Sequence, residues 1–169
     1  MRIVTKSIRA PAAEPVSLKD IKEHLAIPDL SSDDDLLRDL IAQCRSDAEH
    51  WTGRIYADRE METTAILDGE HGTYVWIPLA SPVINVTSVK VTDGRDESVA
   101  DYKIYGNTLV VDVTDMTAVT AVYLAGSSQY LDPSVKGAIK EMVRIAYRRD
   151  GTDTMSGAVK RMLWKGVNL

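Results

Sequence analysis

Between Met61 and Leu124 the chain leaves helical spacing for short β-branched runs separated by turn residues, and it regains helical spacing only after Asp132. Side chains repeat about every 3.6 residues along a helix and every second residue along a strand, so neither pattern can bury its apolar set in the other conformation. This switch and return constrains the fold more than any single motif. It predicts an α+β protein in which a compact antiparallel β region at 61–125 is inserted between a helical segment at 17–53 and a helix at 132–150, with 151–169 left as an extended C-terminal arm. A chain of 169 residues suits one domain, so 1–169 is read as a single domain.

Ser17-Leu18-Lys19-Asp20 opens the first helix as a capping box, with Leu18, Ile21 and Leu25 on one face and Pro28 as the stop. The second helix is expected after Ser32, whose hydroxyl, with Asp33-Asp34-Asp35, suits the positive end of the helix dipole. Its stripe is Leu36, Leu37, Leu40, Ile41, Cys44, Ala48 and Trp51, closed by Gly53. Expected strands are 62–67, 73–79, 84–92, 102–105, 108–113 and 119–124, with turns at Asp68-Gly69, Asp93-Gly94 and Gly106-Asn107. Pro78 and Pro82 confine the second connection to an edge or a loop. The third helix starts at Asp132-Pro133, buries Val135, Ile139, Met142, Val143, Ala146 and Tyr147, and stops at Asp150-Gly151.

The residues offer little for catalysis. Asp68, Glu70 and His71 place carboxylates beside a histidine, but adjacent residues do not converge as ligands, and an ordinary polar turn explains them. No phosphate loop, dinucleotide turn, calcium loop or nucleophile elbow occurs. Cys44 lies on the apolar face of a helix, where a thiol is a small core hydrophobe, and one cysteine forms no internal disulfide. No catalytic residue, cofactor or metal is expected. The longest uncharged stretch, His71 to Val89, contains two prolines and several hydroxyl residues, so no membrane span is expected, and the chain reads as soluble and intracellular when made.

Two features point to binding. The net charge of -5 argues against a general nucleic-acid binder, yet it is unevenly spread: residues 17–52 carry -5, 53–131 carry -6 and 132–169 carry +4. Lys136, Lys140, Arg144 and Arg148 recur at intervals of four and form a positive stripe on the third helix. In the arm, Met162, Leu163 and Trp164 flanked by Lys160, Arg161 and Lys165 are costly to leave in water, so this segment either docks on a partner or folds back on its own chain. These ten residues are the candidate partner interface.

The stretch Glu14-Pro15-Val16-Ser17-Leu18 entering a short helix, the acidic cap Asp33-Asp34-Asp35 and the helix end Trp51-Thr52-Gly53-Arg54 resemble the head-tail connector (adaptor) proteins of tailed bacteriophages. Ile77-Pro78-Leu79-Ala80-Ser81-Pro82-Val83, Val86-Thr87-Ser88-Val89, Asp101-Tyr102, Tyr123-Leu124-Ala125-Gly126 and the helix opening at Pro133 extend the likeness, which ends where Ser127-Ser128 replaces the usual aromatic. The resemblance implies a structural virion protein at the capsid–tail junction, made in the host cytoplasm. It further implies a ring of about a dozen copies beneath the portal protein, prolonging the DNA channel and giving the next head-completion or tail protein a platform, with DNA passing through unread. Two other readings stay open on the residues alone: a β-rich regulatory or ligand-binding module unrelated to virion assembly, and a small metal-dependent hydrolase.

Overall fold

The computed structural model describes residues 1–28, 32–68, 72–148 and 153–167. In chain order the elements are β1 (Arg2–Ser7), α1 (Leu18–Leu25), α2 (Asp34–Thr52), β2 (Arg59–Ile66), β3 (Tyr74–Pro78), β4 (Val83–Thr92), β5 (Glu97–Val99), β6 (Tyr102–Tyr105), β7 (Thr108–Asp112), β8 (Ala118–Ala125), a 3₁₀ turn (Ser128–Tyr130), α3 (Pro133–Arg148) and α4 (Gly157–Val167). The α+β class and the inserted β region are as the sequence predicts. The chain forms two compact units, one from Met1–Ala12 with Asp58–Gly126 and one from Ala13–Ala57 with the chain from Ser127 onward.

The β unit holds two antiparallel sheets, with strand orders β1-β2-β8-β4-β5 and β3-β7-β6. Alternation decides which faces are buried. Met61, Thr63 and Ala65 of β2 and Val119, Ala121, Tyr123 and Ala125 of β8 point to the core side of the large sheet, while Val75, Ile77, Leu109 and Val111 do so in the small one. The buried Tyr123 hydroxyl shares a hydrogen bond of 2.9 Å with Thr63 and accepts the Ala80 amide at 2.8 Å, fixing the loop after β3. Pro78 closes β3, an edge strand, as proline requires. Gly126 sits at φ +148, and a Cβ there would lie 2.5 Å from the Asp58 Cα, so the chain leaves this unit through a position only glycine fits.

The helical unit is built on an apolar cluster in which Val16, Ile21, Leu37, Ile41, Cys44, Ala48 and Tyr56 meet Leu131, Val135, Ile139, Met142 and Val143. The capping box forms as expected, with the Asp20 amide donating to the Ser17 hydroxyl at 3.1 Å and the Ser17 amide to Asp20 at 3.3 Å. The expected stop at Pro28 is anticipated by Ala26, which takes the left-handed conformation (φ 55) and closes α1 two residues earlier. The N-cap of α2 is Asp33 rather than Ser32, because the first helical amide, that of Leu37, donates to the Asp33 carbonyl at 2.9 Å. Along α2 the buried seam is Leu37, Ile41, Cys44 and Ala48, whereas Leu36 and Trp51, which flank it, are exposed. Gly53 closes the helix as expected.

Two differences from expectation are larger. The N-terminal segment, predicted as no element, is β1, paired with β2 along its length. The arm expected at 151–169 is in its described part a fourth helix, α4, and the expected stop at Asp150-Gly151 lies outside the described residues. Val159, Leu163 and Gly166 recur at helical spacing and are buried, so burial of that stripe outweighs the weak helix propensity of the two glycines. Among the described residues no helix is long and apolar enough to cross a membrane.

Candidate partner interface

Within the helical unit, α3 and α4 set the positions of the ten candidate residues. α3 starts where the Asp132 carboxylate accepts the Ser134 amide at 2.6 Å, with Pro133 in the first turn, where its missing N–H costs nothing. Its buried stripe, Val135, Ala138, Ile139, Met142, Val143 and Ile145, turns Lys136, Lys140, Arg144 and Arg148 to the opposite side. Two of these four cations serve their own fold. The Lys140 ammonium bonds to Asp20 at 3.2 Å, and the Arg144 guanidinium holds Glu141 through two hydrogen bonds of 2.7 and 2.5 Å. The Ser17 hydroxyl, then Lys140, lower the Asp20 carboxyl below the usual carboxylate range, and Arg144 does the same to Glu141. Lys136 and Arg148 are exposed and pair with no acid among the described residues.

α4 separates its residues sharply. Leu163 is 0% exposed and belongs to the core, so it is not an outward anchor, while Trp164 beside it is 62% exposed and Met162 37%. Lys160, Arg161 and Lys165 are exposed on the same side as Trp164, which places an indole among three cations on one helical face. The helix lies close on α3, since a Cβ at Gly166 would fall 2.3 Å from a Val135 methyl. Arg54 donates to the Gly166 carbonyl at 3.3 Å and completes the C-terminal end.

The helical unit also holds a largely buried ionic group that sequence reading missed. The Arg45 guanidinium donates to Glu14 at 2.8 Å and to Glu49 at 2.7 Å, and the second Glu49 oxygen accepts the amides of Tyr56 at 2.7 Å and Ala57 at 3.2 Å. Burial works against the guanidinium charge, but the two carboxylates outweigh it and raise its pKa. Arg45 and Glu49 stand four apart on α2, a spacing legible in the sequence, though nothing there shows that both are buried. Cys44 is buried beside them, and burial, then Asp47, push its thiol up to about 12, so it is no nucleophile.

The β unit carries a second surface absent from the sequence reading. Tyr74 and Trp76 point outward from β3 at 62% and 59% exposure, and the Trp76 ring stacks on Tyr105 of β6 with centroids 5.7 Å apart. The signal was present in Tyr74-Val75-Trp76-Ile77, where the aromatics alternate with core residues. Of the residues considered for metal chemistry, Asp68 is described, whereas Glu70 and His71 lie outside the described residues. Among the described residues no cluster of three histidines, cysteines or carboxylates could hold a metal ion.

The α+β architecture, with a β unit inserted between helical segments of the chain, recurs in chains of solved particles. In a chain from the neck of an empty gene transfer agent particle computed with C6 symmetry, the same fold recurs at TM-score 0.70 and 16% identity, covering 94% of each chain. A chain from the virion of a native gene transfer agent particle gives TM-score 0.70 and 16% identity over 96% of this chain and 94% of that one. A third, from the neck of a native particle computed with C12 symmetry, gives 0.66 and 15% over 94% of each. The family model of phage gp6-like head-tail connector proteins matches residues 15–72, and together with the shared fold it supports the connector resemblance. No curated protein matches by sequence.

Proposed function

We propose that this protein forms an oligomeric ring beneath the portal at the capsid–tail junction, extends the DNA channel and presents the next head-completion or tail protein with a docking platform. The observation that carries this is the recurrence of the fold, over nearly the whole length of both chains, in neck chains of particles computed with C6 and C12 symmetry. The family match adds the connector role. A ring of about a dozen copies in the virion, formed after synthesis in the host cytoplasm, is the arrangement this reading implies. Its work is structural, with neither catalysis nor a cofactor.

The exposed cations Lys136 and Arg148 of α3 and the Lys160, Arg161, Trp164, Lys165 face of α4 are the surface offered to an acidic neighbour, which in this reading is the portal. The acidic remainder of the chain suits a channel wall that repels DNA and lets it slide. Mixing the protein with the portal of the same phage and imaging the complexes by negative-stain electron microscopy tests the reading. An added ring of density at one end of the portal is the expected result, and bare portals across assembly conditions would overturn it. The triple variant Lys160→Glu, Arg161→Glu, Lys165→Glu should lose that ring while keeping its helical circular dichroism, since all three side chains are exposed. Deleting the segment is no substitute, because Val159 and Leu163 would leave the core with it.

A further inference from the structure

The outward face of the small sheet exposes Tyr74, Trp76 and Tyr105 and lies beyond residue 72, where the connector match stops. Strand register sets Tyr74 opposite Asp112, Trp76 opposite Val110, Lys103 opposite Val110 and Tyr105 opposite Thr108, so these side chains share one side of β3-β7-β6. All of them but Thr108 line an open cavity of about 540 Å³, together with Asp101 and Tyr102. Exposed tryptophan and tyrosine in such a setting are typical anchors of a protein interface. Asp101 and Asp112 are exposed and outnumber Lys103, the one cation lining this cavity among the described residues, so the face keeps a net negative charge that favours a positively charged occupant over a phosphate backbone.

The same β unit offers a complementary surface elsewhere. Ile3, Thr5 and Ser7 of β1 stand opposite Ala65, Thr63 and Met61, on the core side of the sheet, so Arg2, Val4 and Lys6 alternate on the other side. β1 is an edge strand, Val4 is 52% exposed, and Ile8 just beyond it is 42% exposed. Arg2 pairs with no acid among the described residues, and Lys6 reaches Glu62 at 2.7 Å from an exposed position. Cation alternating with apolar residue along one strand face is the counterpart of aromatic rings bordered by two carboxylates. The apolar side chains cover rings, and the cations meet the carboxylates or the ring faces.

We propose that the aromatic face of the small sheet in one copy receives the Arg2, Val4, Lys6 face of β1 from a second copy. Two different surfaces meet, so the contact is heterologous and repeats from copy to copy until it closes. The inference rests on the ring reading above and assigns the ring its subunit contact.

Cysteine variants Val4→Cys and Tyr74→Cys, assembled on the portal and treated with a short bismaleimide, test it. Cys44 is buried and stays silent in the native protein. Each single variant should remain monomeric on a denaturing gel, an equimolar mixture of the two should give dimers, and the double variant should give a ladder of multimers. Rings visible on the portal with no ladder from the double variant would overturn the contact and leave the connector reading standing. Dimers from either single variant would overturn it too, by showing a like-to-like contact. No ring from the unmodified chain would remove the connector reading and this inference together. As a second readout, Trp76→Ala with Tyr105→Ala should weaken ring formation about tenfold or more with unchanged circular dichroism, and undiminished rings would count against the contact.

Discussion

Glu49 shows how much one side chain can hold. One oxygen receives Arg45 and the other receives the amides of Tyr56 and Ala57, so a single buried carboxylate ties α2 to the chain that leaves it. Replacing it with alanine strands a buried cation and two buried amides, and Glu49→Ala should cost about 3–5 kcal/mol in denaturant unfolding. The half-buried acids Asp20 and Glu141 behave differently. Both have carboxyls lowered in the folded state, so their contribution is present above the ordinary carboxylate range and is lost as pH falls through their lowered folded values. Acid titration followed by circular dichroism should therefore show Asp20→Asn with a shallower loss of stability below about pH 4 than the unmodified chain. Capping at Ser17 and Asp20 was legible because both groups act within one turn. The Glu14–Arg45 contact spans thirty-one positions and was invisible to local spacing.

Elements were legible in proportion to the regularity of their burial. The strand Tyr102–Tyr105 lies where alternation placed it, and α3 begins at its proline. β1 was missed because Ile3 and Val4 are adjacent and are separated from the next apolar residue by polar ones, which masks the period, while β5 is three exposed residues with no pattern at all. α4 is hard to recognise from the sequence because Gly157 and Gly166 are poor helix formers and because Leu163 and Trp164, adjacent in the chain, look like one exposed pair. Spacing separates them: Leu163 repeats with Val159 and Gly166, and Trp164 with Lys160. Of the candidate interface, the charges were therefore legible and the inward turn of Leu163 was not. Leu163→Ala should destabilise the helical unit by about 2–5 kcal/mol, measured by urea unfolding, whereas Trp164→Ala should leave it within about 1 kcal/mol.

At the scale of the whole molecule the decisive feature is that neither unit is continuous in sequence. Residues 1–12 join 58–126 in one, and the helical unit takes its two portions from either side of that block. The acidic segment 17–52 and the basic segment 132–169 thus belong to the same unit, which no window along the chain could reveal. A chain ending at residue 127 should retain a protease-resistant β unit and lose the helical one; digestion of both at equal rates would contradict this division. Discontinuity also sets an order of events during synthesis. The β unit has all its strands once Gly126 has left the ribosome, while α1 and α2 have been waiting since much earlier with Ile21, Leu37 and Ile41 uncovered. Their cover, Val135 to Met142 and then Leu163, is translated only after that, so for the interval the nascent chain is a completed set of strands carrying two sticky helices, and keeping these from other chains is work for chaperones.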